Sequence, residues 1–507
     1  MRLLRRHQSQ ELDQISMDEM GISGIILMGK AGKTIAEHIK KKFIKDDMKR
    51  IAICCGKGNN GGDGFASALH LDEYELTIFS LIQPEQIQGD STYYYDKCVE
   101  KNMSIVYGED LPENQHYDLI IDALLGTGFH GHLRSPIDAW TRWINQNSDF
   151  VISVDIPSGV DADTGAVAGD AVSADITVTM DSINTGLVLN PGSEQAGEVI
   201  PVDIGFPDIY DKLTGFAWNL FEDSLCKIWL KPPPLNTYKH RQGKVLIIAG
   251  SKGMTGAASL ATHGALRSGA GLTVTCAPAS LNIIYETNIL EGMTLTCPDD
   301  DRGYFTEDNY TDIEFMFDWA DVILIGPGLG GNESTIKLVG KIISSVEVPL
   351  VLDADALRVF VNNKDLISDI KTPFVLTPHY GEFAMLLGTD EKTLKTSFPA
   401  FIEEFSEKNS GVIVAKNAPT CTGYNGRIVV NSSGNQGLAT AGTGDVLTGV
   451  IAGLISQGIP PFDAAQIGTY IHGKAADQLQ IKTGYRGLIA SDLLKVIPKV
   501  IRHYEHS

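Results

Sequence analysis

In both halves of the chain a short apolar run, a loop dense in glycine and aspartate, and a stretch with helical spacing follow one another repeatedly. Arg50-Ile-Ala-Ile-Cys-Cys55 leads into Gly56-Lys-Gly-Asn-Asn-Gly-Gly-Asp-Gly64, Asp118-Leu-Ile-Ile-Asp-Ala123 into Leu124-Leu-Gly-Thr-Gly128, and Val151-Ile-Ser-Val-Asp155 into Ile156-Pro-Ser-Gly159. Later, Lys244–Ala249 leads into Gly250-Ser-Lys-Gly-Met-Thr-Gly256, Val322–Ile325 into Gly326-Pro-Gly-Leu-Gly330, and Leu350-Val-Leu ends in Asp353-Ala-Asp355. Apolar runs that do not alternate with polar residues suit strands buried on both faces, and strands that alternate with helices predict parallel, helix-covered sheets. The predicted fold class is therefore α/β with two doubly wound domains. A chain of 507 residues exceeds one ordinary core. Lys231-Pro-Pro-Pro-Leu-Asn236 can continue neither a helix nor a central strand, which places a linker at 226–237 between domains at 1–225 and 238–507.

Composition removes several classes of function. A net charge of -22 argues against non-specific binding of DNA or RNA, which needs clustered Lys and Arg. No run of 18 apolar residues occurs, and Met1-Arg-Leu-Leu-Arg-Arg lacks the apolar core of a signal peptide, so neither membrane nor export is expected. Seven cysteines without metal-ligand spacing, Cys54 and Cys55 inside an apolar run, suit a reducing, cytoplasmic setting. From Gln10 to His38 apolar residues recur at helical spacing (Leu12, Ile15, Met20, Ile25, Ile26, Leu27), with Gly21 and Gly24 dividing two helices.

Ligands of open α/β sheets bind at the C-terminal strand edges, so Asn59, Asn60, Asp63, Asp122, Asp155 and Ser158 are expected to converge. Each alone reads as readily as a cap or an Asx turn. The Gly56–Gly64 spacing matches neither a Walker loop nor a dinucleotide fingerprint. Near the C-terminus, Gly442-Thr-Gly-Asp445 precedes an apolar helical run from Val446 to Gln457. Free amides and the dipole of a helix N-terminus attract phosphate, and Asp445 beside them could take a hydroxyl proton during phosphoryl transfer. Taken alone, Asp445 could equally cap the helix. Phe374-Val-Leu-Thr-Pro-His379 brings a histidine to another strand end, and Val412-Ile-Val-Ala-Lys416 a lysine; a lone histidine is more often structural.

The stretches GISGIILMGKAGKTIAEHI, GKGNNGGDG, DALLGTG and VDIPSGVDADTG together resemble the NAD(P)H-hydrate epimerase domain over about Gln10 to Pro207. The resemblance implies a Rossmann-like three-layer fold. It also implies that Asn59, Asn60, Gly61, Gly62 and Asp63, with Gly126, Thr127, Gly128, Phe129, His130, Gly131 and His132, hold the hydrated cofactor, with Asp155 in contact with it. Asn60, Asp122 and Ser158 would coordinate potassium, and oxygen donors suit such a hard cation. Because the reacting carbon also bears the ring nitrogen, Asp155 is the candidate for moving the proton. Two positions depart from the family's usual pattern: Gly29-Lys30 follows Leu27-Met28 where an acidic residue is usual, and Asn184 stands near a usual lysine.

The second half, from Tyr238 to Ile501, is similar to the ADP- or ATP-dependent NAD(P)H-hydrate dehydratases, which are ribokinase-like. The matching stretches are GKVLIIAGSKGMTGAA, LRSGAGL, GPGLG, VLDADAL, LTPHYGE, NQGLATAGTGDVLTGVIAG and GYRGLIASDLL. By this resemblance Lys416, Asn417, Ala418, Pro419 and Thr420, with Asn435, Gln436, Gly437, Leu438, Ala439, Thr440, Ala441, Gly442, Thr443 and Gly444, bind the adenine nucleotide. Ala257, Gly328, His379 and Asp445 would bind the hydrated cofactor, with Asp445 catalytic. Asn417 replaces a usual glycine. Mg²⁺ is expected to neutralise phosphate charge. An unsegmented two-domain chain without a leader looks like the prokaryotic arrangement, in which ADP is the donor, and a homo-oligomer is expected. The rival reading is a ribokinase-like small-molecule kinase carrying a non-catalytic binding or oligomerisation module.

Overall fold

The computed structural model of the protein describes residues 1–19, 21–42, 50–113, 115–361 and 363–506. Met20, counted above among the helical apolar positions, lies outside the described residues. Contacts divide the chain into two compact units, Arg2–Trp218 and Asn219–Ser507 with Met1.

The first unit is built on a seven-stranded sheet. Its strands are β1 (Arg50–Cys55), β2 (Glu75–Ser80), β3 (Ile105–Tyr107), β4 (Leu119–Ala123), β5 (Val151–Val154), β6 (Ile176–Met180) and β7 (Glu198–Val202). They lie in the order β3-β2-β1-β4-β5-β6-β7, with parallel pairing throughout. The chain leaves β1 toward one edge and resumes at β4 on the other side, so a crevice opens at the C-terminal ends of β1 and β4. Pro201 to Pro207 reads in the sequence as a closing strand and turn, but β7 starts earlier, at Glu198. Pro201 is tolerated inside it because β7 is an edge strand, where a missing N–H breaks no ladder on its open side.

Both faces of β1 are buried, which explains its unbroken apolar run. Ile51, Ile53 and Cys55 pack with Leu27, Ala31 and Ile35 of one helix (Gly24–Lys42) and Phe65 of another (Asn59–Ala68). Ala52 and Cys54 face the opposite way, toward Trp140, Trp143 and Ile144 of the helix Ile137–Gln146. Truncating a buried aliphatic chain here to alanine costs ~2–5 kcal/mol.

The second unit repeats this logic. Strands β8 (Lys244–Ile248), β9 (Leu272–Pro278), β10 (Met293–Cys297), β11 (Val322–Ile325), β12 (Leu350–Leu352), β13 (Phe374–Leu376) and β14 (Val412–Ala415) run parallel in the order β10-β9-β8-β11-β12-β13-β14. An antiparallel hairpin, β15 (Cys421–Tyr424) and β16 (Arg427–Val430), continues the sheet from β14. Three helices matter for the site: α1 (Thr255–Arg267), α2 (Thr443–Ser456) and α3 (Pro461–Thr483). Ala258, Ala261 and Ala265 let α1 lie close against Val446, Val450 and the rest of α2's apolar side.

The stretch predicted as a linker, 226–237, begins inside a helix, Ser224–Trp229. Cys226 and Leu230 are buried in the core of the second unit, so apolar burial ties down the start of this segment, while Lys231 to Asn236 are exposed. All seven cysteines are free and buried. Burial pushes the Cys98 and Cys226 thiols up to about 12. Among the described residues no helix is long and apolar enough to cross a membrane.

Candidate active sites

The first site lies in the crevice between β1 and β4. Asn59 to Asp63, which the glycine density suggests is a loop, form the first turn of the helix Asn59–Ala68, capped by Gly58. Asn60 is buried; its amide N–H donates to the Leu125 carbonyl at 2.7 Å, while its Oδ1 has no partner. The register sets Asp122 of β4 beside Ser153 of β5. The fully buried Asp122 carboxylate accepts from Ser153 Oγ at 2.9 Å, Ser158 N at 2.8 Å and Ser158 Oγ at 2.6 Å. Burial raises the Asp122 pKa, and those donors oppose the rise. Ser158 Oγ in turn accepts from the Leu125 N–H at 2.9 Å. Asn60, Asp122 and Ser158 are thus gathered around one backbone unit, with a buried oxygen acceptor of Asn60 left over.

Asp155 follows β5 with φ of 68°, a left-handed backbone unusual for a residue with a side chain. Its Oδ2 accepts the Thr127 N–H at 3.0 Å. A Cβ added at Gly126 would lie 2.9 Å from that same oxygen, so glycine lets the two loops close on each other. Burial raises the Asp155 carboxyl and the Thr127 contacts pull it down.

A cavity of about 720 Å³ opens over these groups. Asn59, Asn60, Asp63, Gly126, Thr127, Gly128, Phe129, His130 and Asp155 line it. Gly61, Gly62, Gly131 and His132 are not part of its wall, and Gly131 and His132 are exposed. Sequence reasoning missed Ser9 and Asp13, contributed by the helix Arg6–Asp18. Ser9 Oγ donates to Asn184 Oδ1 at 3.0 Å, so Asn184 is a buried, hydrogen-bonded wall residue. The departure at Gly29 has a steric reason. The Tyr94 hydroxyl occupies the space a side chain at Gly29 would need and donates to the Ile25 carbonyl at 2.6 Å.

The second site surrounds the N-terminus of α2. Gly442 caps the helix at φ 85°, a left-handed turn that suits glycine and leaves the first-turn amides of Thr443, Gly444 and Asp445 free. Thr443 Oγ1 donates to the Leu438 and Thr440 carbonyls at 2.9 and 3.0 Å, folding the preceding segment onto the turn. Asn435 Oδ1 accepts the Gly437 N–H at 3.0 Å, and Asn435 Nδ2 donates to Asp477 of α3 at 3.0 Å. Gln436 and Ala439 complete this turn, and Ala441 stands exposed beside it.

Below the turn lies Asp353, at the end of β12 and 1% exposed. It pairs with Lys416 Nζ at 2.7 Å and accepts from Thr448 Oγ1 at 2.7 Å. Lys416 also reaches the cradle: a Cβ on Gly444 would sit 3.3 Å from its Nζ. Burial first, then the charge of Asp353, push the Asp445 carboxyl up to about 7, with Lys416 opposing. The backbone of His379 pairs with that of Lys416 in an isolated parallel β-bridge, and its side chain caps the helix Tyr380–Leu387 with Glu382, its ring exposed. Ala257 and Gly328 adjoin each other, and Leu260, one turn beyond Ala257 on α1, meets Gly442. Asn417 and Ala418 are exposed, Pro419 follows them, and Thr420 Oγ1 donates back to the Asn417 carbonyl at 3.1 Å. Sequence reasoning missed Asp353 as the partner of Lys416. It also missed His472 of α3, buried against the Thr443 backbone, whose ring burial holds neutral with a pKa lowered to about 4.

Residues 245–499 match the family described as NAD(P)H-hydrate dehydratase, and residues 24–186 the family described as YjeF-related protein N-terminus. The bifunctional NAD(P)H-hydrate repair enzyme Nnr of Moorella thermoacetica is 36% identical, the alignment covering 100% of this chain and 97% of the relative. The enzyme of that name from Salinibacter ruber is 33% identical over 97% of this chain and 94% of its own. Among solved structures, the ADP/ATP-dependent NAD(P)H-hydrate dehydratase of Bacillus subtilis, co-crystallised with ATP and Mg²⁺, superposes with a TM-score of 0.50 at 29% identity. It covers 57% of this chain and 99% of its own.

Proposed function

We infer the function from the family, for the chain belongs to the bifunctional NAD(P)H-hydrate repair enzymes. It restores NADH and NADPH that have taken up water, by epimerising the hydrate and dehydrating it in a nucleotide-dependent step. Hydration places a hydroxyl on the carbon beside the ring nitrogen. We assign epimerisation to residues 1–225 and dehydration of the S form to 238–507, with ADP as donor and AMP and phosphate as products.

Hydroxide is a poor leaving group, and a kinase-like site removes that obstacle. Asp445 takes the hydroxyl proton while the amides of Gly442 to Gly444 meet the charge on the transferring phosphoryl group. The ring nitrogen's lone pair then assists departure of phosphate with the C–O electron pair, and loss of a proton from the neighbouring carbon restores the double bond. The observation that carries this assignment is the half-buried Asp445 at the mouth of α2, with a carboxyl near 7 that can accept and release a proton around neutral pH. Asp353 holds Lys416 toward the cradle, where its charge faces the phosphates. Mg²⁺ would neutralise the nucleotide's phosphates. It is commonly held by one or two carboxylates plus phosphate oxygens, and among the described residues no three His, Cys, Asp or Glu converge as a ready-made metal cage.

In the first unit the orphaned Asn60 Oδ1, beside the buried oxygens of Asp122 and Ser158, fits potassium. Potassium would fix the loops that carry the substrate-binding residues, and Asp155 moves the proton of the hydroxyl on the reacting carbon. The free, buried cysteines support a cytoplasmic location. Exposed Ile283, Leu290 and Met293 beside the edge strand β10 support a homo-oligomer.

The test is incubation of hydrated NADH with the full chain and either ADP or ATP, following recovery of the reduced ring's absorbance. Recovery dependent on nucleotide supports the assignment. Nucleotide consumption that yields a stable phosphorylated product without NADH would instead make the second unit a small-molecule kinase.

A further inference from the structure

The epimerase cavity holds an ionisable group that the reaction above leaves unused. Asp13, on the helix Arg6–Asp18, lines the same cavity as Asp63 and Asp155 but enters it from a different element: Asp155 comes from the edge of the sheet, Asp13 from the N-terminal helix. Inverting a carbon that carries a hydroxyl needs proton transfer at two faces, one where the oxygen leaves and one where it returns, and one fixed carboxylate serves one face. We propose that Asp13 is the second acid–base group of epimerisation and works as a pair with Asp155. This rests on the assignment of the cavity to the hydrated cofactor. The cavity of about 720 Å³ bordered by both elements provides the room for such an occupant.

In one direction the Asp13 carboxylic acid gives its proton to the hydroxyl oxygen. The C–O bond breaks, its electron pair leaves with water, and the ring nitrogen's lone pair closes a C=N bond that leaves the nitrogen positive. Water then adds through its oxygen to the other face of that carbon. The C=N pair returns to nitrogen, and the extra proton passes to the Asp155 carboxylate. Composition is unchanged, one proton has moved from Asp13 to Asp155, and cavity water returns it. The opposite direction exchanges the two roles.

The electrostatics suit this chemistry. Besides Asp13, the ionisable groups on the wall are Lys57, Asp63, Asp90, His130 and Asp155. Carboxylates outnumber cations, which disfavours the empty ionised site and favours a transient ring cation. Burial first, then the charge of Asp155, push Asp13 up to about 6, while Asp63 is raised by burial and by both neighbours. Asp13 also remains accessible to water, as a group that must be reprotonated requires.

The experiment measures epimer exchange by chromatography in the full chain without nucleotide, so that dehydration does not drain either form. Asp13→Asn should lower kcat about 100-fold, the scale of general acid–base catalysis. KM should stay within about twofold, because uniform binding is untouched, and the limb of the rate profile near pH 6 should disappear. Formate should restore part of the rate to Asp13→Ala, which a structural role would not allow. Unchanged protection of the buried Cys54, Cys55 and Cys98 from maleimide in the same variants reports that the first unit is folded. Exchange by Asp13→Asn within about threefold of the parent, with the same pH profile, overturns the proposal. If Asp155→Asn abolishes exchange while Asp13→Asn does not, only the role of Asp13 fails; if neither affects it, the assignment of the cavity fails as well.

Discussion

Replacing Asp445 by asparagine separates the chemistry of the phosphate cradle from its effect on stability. The carboxyl stands at about 7 in the fold against an ordinary 3.8. A carboxyl that holds its proton more tightly when folded costs stability once it ionises. The cost is absent below 3.8, grows as pH rises toward 7 and is complete above it. A shift of about three units corresponds to ~4 kcal/mol, and water at the half-buried group reduces this to ~2 kcal/mol. Asp445→Asn should therefore be more stable than the parent by ~2 kcal/mol at pH 8, a gain that falls to about half near pH 5.5. Urea unfolding at both pH values, followed by fluorescence, measures this directly. In the same protein, dehydration should fall about 10²- to 10⁴-fold as the proton acceptor is lost. A stability change that is absent at pH 8, or indifferent to pH, would refute the electrostatic reasoning. Dehydration above a tenth of the parental rate would remove Asp445 from the proton transfer.

Asp155→Asn should abolish epimer exchange while leaving dehydration of the S form intact, measured by chromatography and by absorbance recovery respectively; equal damage to both would dissolve the division of labour. Lys416→Ala strands the buried Asp353 carboxylate without its cation and should cost ~3–5 kcal/mol, with part of that recovered by adding Asp353→Asn, as urea denaturation would report. Exchanging potassium for tetramethylammonium should slow epimerisation and lower the melting temperature of the parent but not of Asn60→Ala, whose orphaned oxygen is gone; a parent indifferent to the cation would end that assignment.

The sheets were legible because β1, β4, β5 and β11 are buried on both faces, and nothing but an unbroken apolar run satisfies such a position. Strand-end carboxylates were legible for the same reason, since the end of an apolar run locates the edge. The Asn59–Asp63 turn reads as a loop in the sequence because glycines there signal freedom locally, whereas in the fold Gly61 and Gly64 let a helix start tightly against Gly56 and Cys55. Asp13 carries no local mark: it is one acid on a polar helix, and only the folding of that helix over the crevice brings it to Asp155. The Lys416–Asp353 pair spans 63 positions along the chain, beyond any spacing rule. Cys226 and Leu230 were hidden by the prolines that follow them.

The sequestration of every thiol has a practical consequence. Cys54, Cys55 and Cys98 lie in one unit and Cys226, Cys276, Cys297 and Cys421 in the other, all sealed from solvent. A maleimide therefore has nothing to alkylate until a core opens, and mass mapping of the labelled peptides would time the opening of each half separately within one unbroken chain.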